Sequence, residues 1–248
     1  MWNFSMSAIY YQPQIEILTG SILAVEALLR WQHPEMGLCM PAEFMTIAEE
    51  TGLIGPIWEW ALLTACAQGK EWQNAGIPPF LIAMNISPFH LRQNHLIQTI
   101  SNTLSSTQFD ACFLELEITE SVTNREMGTI SLLQEIRKMG IGICMDDFGT
   151  GYSSLGYLKE FPINALKIDP YFVRGLDLDP SDIAVAGAII ALGRGLNMRV
   201  IGEGVETTEQ LQILRSLGCD AFQGFLITRP LPADLITPIL TVGINLPL

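Results

Sequence analysis

Residues 114–147, LELEITESVTNREMGTISLLQEIRKMGIGICMDD, contain a strand, a helix and a second strand in succession. LELEIT is a short apolar run of strand type. The helical stretch after it reaches Lys138, and Gly140 stops it. IGICMDD is a second apolar run, and it ends on two adjacent acids, Asp146 and Asp147. A strand-like run followed by a helix-like one is the repeating unit of a parallel sheet.

The same alternation extends in both directions. ILAVEALLRW leads into PAEFMTIAEETG, where Pro41 suits a first helical turn and Gly52 a C-terminal stop. LIAMNIS leads into SPFHLRQNHLIQTISNTL, with Ser87 as the expected N-cap and Pro88 at the first helical position. In DPSDIAVAGAIIALGRGL, Asp179 and Pro180 take the same starting roles and Gly195 falls near the end. TTEQLQILRSLG then carries the chain to CDAFQG. Eight strands are expected, near residues 10–17, 22–31, 81–86, 112–119, 141–147, 165–169, 199–205 and 219–227. Eight strands alternating with helices read as an α/β fold, a TIM-like (β/α)8 barrel. The first two flank Leu18-Thr19-Gly20-Ser21, a turn too short for a crossover helix, so an antiparallel first strand is expected.

The composition suits this architecture. The chain has 248 residues, 49% apolar and only 16% charged, enough for one large α/β domain with a sizeable core. No apolar stretch reaches the ~18 uninterrupted residues of a membrane span. The start, MWNFSMSAIYYQP, lacks the basic and apolar regions of a signal peptide, and a cytoplasmic location is expected. A net charge of -13 argues against a general nucleic-acid surface, so no DNA is expected as partner. Five scattered cysteines without a CxxC pair read as reduced core residues.

The informative residues are those at the strand ends. Glu26, Glu117, Asp146, Asp147, Glu203 and Glu206 would converge on one mouth, with Asn85 and Gln223 between them. Two like charges ~4 Å apart cost roughly 4 kcal/mol at an effective dielectric of 20. Bound divalent cations would remove that penalty. None of His33, His90 and His95 is expected at a strand end, so the ligands are all oxygen, which selects magnesium or manganese over zinc. Two such ions can share a water and aim it at phosphorus, and Lys167 on a neighbouring strand could orient that water. A single strand-end acid is more often a helix cap or a solvated loop residue. So many on separate strands cannot all be caps, because caps would be mixed with Ser and Thr. Gly149 and Gly151 in DDFGTGYSSL suggest a loop that senses or covers the site. Arg30, four residues after Glu26, is either a phosphate contact or a partner for nearby acids, and spacing leaves both open.

Glu26-Ala27-Leu28 is the tripeptide that names the EAL domain family of cyclic di-GMP phosphodiesterases, and the chain resembles that family well beyond it. The resemblance runs through YQP (11–13), EALLRWQHP (26–34), PAEF (41–44), NISP (85–88) and LELEITES (114–121). It continues through DDFGTGYSSL (146–155), LKID (166–169), EGVET (203–207) and QGFLITRPLP (223–232), in the family's order. It implies a TIM-like barrel with an antiparallel first strand. It also implies hydrolysis of cyclic di-GMP to linear pGpG by a water activated by two Mg2+ or Mn2+ ions, with Ca2+ inhibitory. By resemblance, Glu26, Asn85, Glu117 and Asp146 hold one ion; Asp146, Asp147 and Glu203 hold the other. Lys167 contacts the catalytic water, and Glu206 and Gln223 position water or ligands. Arg30 contacts phosphate and Gln12 is a further substrate candidate. Glu120 anchors the DDFGTG loop, which in the family couples metal binding to dimerisation, so a homodimer is expected.

Two departures stand out. Pro170-Tyr171 follow Asp169 where the family has basic or small polar residues, and Gly202 stands where alanine is common. Neither removes a ligand, but Pro170 could shift the backbone after Lys167. Only nine residues precede Tyr10 where the family has a helix. Residues 1–248 are therefore expected to be one domain of a longer signalling protein. A sensor or cyclase domain is expected upstream, and that parent protein could be membrane-anchored. The competing readings are a catalytically silent module that binds cyclic di-GMP and a magnesium-dependent lyase of the enolase kind with Lys167 as base. The retained ligands favour the hydrolase over the first. The second would need a base on the opposite side of the mouth.

Overall fold

The structure is a computed structural model that describes residues 7–123, 128–150 and 158–244. Its strands are β1 (Ser7–Glu16), β2 (Ile22–His33), β3 (Gly37–Cys39), β4 (Leu81–Asn85) and β5 (Leu114–Thr119). They continue with β6 (Gly142–Phe148), β7 (Ala165–Ile168), β8 (Arg199–Glu203), β9 (Ala221–Gln223) and β10 (Leu231–Pro232). β2 and β4 to β9 pair in parallel in chain order, and β1 closes the ring by pairing with both β2 and β9. Both of β1's ring pairings are antiparallel. The eight expected strands thus form a closed barrel with a reversed first strand. The turn between β1 and β2 is closed by bonds from Gly20 N to Glu16 O and from Glu16 N to Ser21 O, each 2.9 Å. β3 and β10 were not expected. Each is a short antiparallel addition, β3 beside β2 and β10 beside β1.

Several strands stop earlier than the apolar runs suggest, for local reasons. β7 ends at Ile168 because the Asp169 side chain turns to accept from Tyr171 N at 2.7 Å, capping the helix Pro170–Arg174. β8 ends at Glu203 because Gly204 takes a positive φ of 71°. Residues 111–113 form a tight 3-10 turn before β5. The chain leaves β9 after Gln223 to lie over Val205: Val205 N donates to Gln223 O at 3.1 Å and Leu226 N donates to Val205 O at 3.0 Å.

Proline starts four helices as expected from its fixed φ: Pro41–Glu50, Pro88–Leu91, Pro170–Arg174 and Pro180–Gly195. The stretch after Ser87 forms two helices, Pro88–Leu91 and Leu96–Thr107, rather than one. Ser87 holds the cap position, but its hydroxyl lies 2.8 Å from His90 Nδ1 and caps no backbone N–H. The longest helix, Ile54–Asn74, went unread in the sequence. Its buried stripe (Ile54, Ile57, Trp58, Ala61, Leu62, Ala65, Cys66, Gly69, Trp72) has helical spacing throughout. No helix among the described residues is long and apolar enough to cross a membrane.

Two side-chain expectations need correction. Cys112 is exposed, while Cys39, Cys66, Cys144 and Cys219 are buried thiols. His33 does lie at a strand end, because β2 runs past Trp31 into a hairpin with β3. Its Nδ1 accepts from Glu35 N and Met36 N at 3.1 Å, so the ring braces that turn.

Inside the barrel, Cys144, Ala165, Ile201 and Ala221 form a small apolar cluster. Glu115 pairs with Arg199 at 2.9 Å. The polar layer that includes Lys167 lies toward the C-terminal ends of the parallel strands.

Candidate active site

Lys167 sits in the last part of β7, fully buried, with four carboxylates around its ammonium. Nζ lies 2.6 Å from Glu203 Oε1, 2.9 Å from Glu117 Oε2, and 3.5 Å from both Glu26 Oε2 and Asp146 Oδ1. These acids come from four different strands, β8, β5, β2 and β6. One ammonium faces four carboxylates, so full ionisation leaves three negative charges in a water-poor pocket. Burial would drive the lysine toward neutrality, but Asp146, Glu117, Glu203 and Glu26 outweigh it and hold its pKa well above the ordinary value. Burial pushes the Glu117 carboxyl up, reinforced by Glu26 and opposed by Lys167. Glu203 is pushed up for the same first reason, with Lys167 again opposing.

A network of amides fixes the Glu26 side of the site. Asn85 Nδ2 donates to Glu26 Oε1 at 2.7 Å and Gln223 Nε2 donates to Glu26 Oε2 at 2.6 Å. Because the Asn85 nitrogen is spent on Glu26, its Oδ1 is the atom left to face a cation. Trp58 Nε1 holds the Asn85 carbonyl at 3.0 Å. Gln12 accepts from Gln223 Nε2 at 3.0 Å and donates to Thr228 O at 3.0 Å. Both ends of its amide are engaged, so it braces the wall of the mouth.

The two adjacent aspartates reach the same side by a β-bulge. Met145 pairs with Leu166 and Phe148 with Ile168, so β6 contributes one residue more than β7 across this interval. Asp147 takes up the excess in a left-handed conformation, φ 54°. Its N–H donates to Asp146 Oδ1 at 2.9 Å. Consecutive strand residues would otherwise point to opposite faces. As a result, Asp146, Asp147 and Glu203 each offer a carboxylate oxygen within 4.8 Å of the others. Burial, then Asp146 and Asp169, push Asp147 up to about 6.

The donor set fits a hard divalent cation: all oxygen, more negative than its single lysine can balance, and held in place by amides and a bulge. The remaining expected residues fall as follows. Glu206 is exposed and lines the mouth, a cleft of about 210 Å³, together with Gln12, Glu26, Arg174, Glu203, Gln223 and Phe225. Glu120 Oε2 accepts from Gly149 N at 3.2 Å, two residues after Asp147. Residues 151–155 of that loop lie outside the described residues. Arg30 is buried, donates from Nη1 to Leu29 O at 2.7 Å and lies over the Tyr10 ring at 5.7 Å. Burial lowers its pKa and Glu26 raises it.

The two departures are accommodated. Pro170 starts its helix without disturbing Lys167, and its ring packs on Gly204, where a Cβ would come within 2.9 Å of it. Gly202 gives room to Leu214, whose Cδ1 lies 2.5 Å from where a Cβ would sit.

Sequence reading missed Trp58 and Gln14. Gln14 is wholly buried, and its Nε2 donates to Glu117 Oε1 at 3.2 Å. The signal was available: Gln14 lies two residues from Gln12 in a strand and so shares its face.

Comparison with known proteins agrees with the fold. The EAL domain pattern matches residues 6–230. The bifunctional diguanylate cyclase/cyclic di-GMP phosphodiesterase MucR of Pseudomonas aeruginosa is 44% identical over 91% of this chain and 33% of its own length. The cyclic di-GMP phosphodiesterase NbdA of the same organism is 39% identical over 90% of this chain and 29% of its own. The chain thus spans about a third of the length of these relatives. The solved PaMucR phosphodiesterase in complex with c-di-GMP superposes with a TM-score of 0.90 at 43% identity, covering 94% of each chain.

Proposed function

This chain belongs to the EAL domain family, and on that premise we propose that it hydrolyses one phosphodiester bond of cyclic di-GMP, giving linear pGpG. The observation that supports this most is the buried Lys167 ringed by Glu26, Glu117, Asp146 and Glu203, beside the Asp146–Asp147–Glu203 oxygen cluster. Relatives at 39–44% identity that are named phosphodiesterases support the substrate.

Two Mg2+ or Mn2+ ions would be held by Glu26, Asn85, Glu117 and Asp146 on one side and by Asp146, Asp147 and Glu203 on the other. When bound, they would lower the pKa of an attacking water and screen the phosphate charge. Everything else falls to the chain itself. In the reaction a water oxygen joins phosphorus, the bond to the 3′ oxygen breaks, and that oxygen takes up a proton. Lys167, held on Glu203 and Glu117, presents a fixed ammonium to the water and to charge developing on the phosphate oxygens. Glu203 and the exposed Glu206 are the groups placed to accept a proton at the mouth. Gln223 keeps Glu26 turned inward. Arg30 faces phosphate, and Gln12 shapes the wall beside it. Ca2+, which prefers longer and more numerous oxygen contacts, would occupy the ligands without supporting turnover. Glu120, by holding Gly149, ties the loop after Asp147 to the site. A homodimer and upstream signalling domains in the full-length protein complete the proposal.

The test is product analysis of cyclic di-GMP incubated with the purified domain and Mn2+, beside a Glu26→Ala control. Linear pGpG from the wild type alone supports the hydrolase. Micromolar binding without product would favour a silent receptor, and neither binding nor product would sink the reading.

A further inference from the structure

Gln14 lies on the reversed strand β1, two residues beyond Gln12 and on the same interior face. In register, Gln12 stands opposite Glu26 and Gln14 opposite Ala24. Glu117 belongs to β5, with β2 and β4 lying between it and β1 in the sheet. A direct bond between them must therefore cross the barrel interior rather than follow the sheet. Small residues leave the path open: Ala24 on β2 and Ala83 on β4, the parallel partner of Glu26, are both fully buried alanines. Through that space Gln14 Nε2 reaches Glu117 Oε1 at 3.2 Å. Lys167 holds the other oxygen, Oε2, at 2.9 Å.

From this we propose that Gln14 is a positioning residue that fixes the Glu117 carboxylate for cation binding. The inference deepens the phosphodiesterase reading and rests on its assignment of Glu117 as a ligand. With one oxygen on Lys167 and the other on Gln14, the carboxylate plane cannot turn. Each oxygen still keeps a lone pair for a cation. The cost of this arrangement is visible on the far side of the amide. Gln14 Oε1 is buried and has no hydrogen-bond partner among the described residues. Burying half an amide unpaired is unfavourable, and an apolar side chain of similar length would fill the space without it. The amide is therefore explained by its donor and not by its packing. Nor can it be flipped, because Oε1 would then face the Glu117 oxygen.

Partners that orient a ligand from behind typically account for 10- to 100-fold in metal affinity. The experiment measures Mn2+ binding by electron paramagnetic resonance for the wild type, Gln14→Met, Gln14→Leu and a Glu117→Gln control. Thermal melting in EDTA is recorded for each. The expected result is Mn2+ affinity reduced about tenfold or more in both Gln14 variants, with melting in EDTA unchanged or raised. Affinity within twofold of wild type in Gln14→Met, while Glu117→Gln loses it, overturns the proposal and leaves the phosphodiesterase reading standing. Unchanged affinity in Glu117→Gln removes Glu117 as a ligand and overturns both. If both Gln14 variants lose Mn2+ only in proportion to a lowered melting point, the residue is merely structural and the proposal fails.

Discussion

Replacing Lys167 with methionine keeps the length of the side chain and removes the only ammonium within 4 Å of four described carboxylates. At an effective dielectric of 20, the 2.6 Å and 2.9 Å contacts each correspond to about 6 kcal/mol of gross attraction, and the two 3.5 Å contacts to about 5. Most of that sum is offset by desolvation of the ions and by repulsion among the acids. The measurable quantity is the loss on removing one partner of a buried ionic cluster, about 3–5 kcal/mol. The assay is urea unfolding in EDTA at pH 8 and at pH 5. Glu117 and Glu203 have folded pKa values above the ordinary 4.5, so in that window they bind more protons folded than unfolded. Such groups lower stability as pH rises. Lys167 is the charge that opposes those shifts, so its removal must steepen the slope. Lys167→Met should therefore cost about 3–5 kcal/mol at pH 8 and distinctly less at pH 5. Mn2+ should return part of the loss at pH 8 by binding the folded state. An equal cost at both pH values, or none at pH 8, would refute the idea that Lys167 opposes the upward shift of these buried acids.

Further outcomes follow from the packing around single residues. A Cβ at Gly224 would fall 2.0 Å from Val205 O and 2.4 Å from Val205 N, so Gly224→Ala should cost about 3 kcal/mol in urea unfolding. His90 is buried against Trp58 and its pKa is pushed down by burial to about 4. The unfolded chain therefore takes up that proton first. Its contribution, about 3 kcal/mol, is complete above pH 6.5 and lost as pH falls toward 4. The difference between wild type and His90→Gln across that range reads it directly. Asp147 holds a left-handed backbone, so in EDTA Asp147→Gly should melt no lower than wild type, while Asp147→Val should lose about 1–2 kcal/mol. Equal melting of the two variants would deny that the bulge stores strain.

The barrel was readable because each apolar run ended on a residue with a reason to be there, and the four-residue turn Leu18-Thr19-Gly20-Ser21 between the first two strands excluded a crossover. The strand-end acids were readable for the same reason: a parallel barrel gathers its C-terminal ends on one face. What lay beyond the sequence was set by closure. Nothing local to Ile9–Ile15 says that Gln14 will face Glu117, because that contact exists only once β1 has closed the ring. The bulge that turns Asp147 toward the mouth was similarly hidden. Two adjacent acids in a regular strand would diverge, and a one-residue bulge decides otherwise. Arg30 was left open by its spacing, since four residues along a strand fix a face but not a partner.

The two halves of the acidic site are held by different means. Glu26 and Glu117 have each of their four oxygens on a donor from the chain: Asn85, Gln223, Gln14 and Lys167. Asp146, Asp147 and Glu203 are gathered by backbone geometry, with Lys167 and the Asp147 N–H as donors. On the proposed reading the first half would be oriented before any ion arrives, and a cation there would gain rigid ligands at little ordering cost. The second half is close-set but carries fewer donors, so on the same reading its pull on a cation would be chiefly electrostatic. In the proposed ligand sets Asp146 is shared between the two, and the Lys167 ammonium lies within 3.5 Å of acids from both halves.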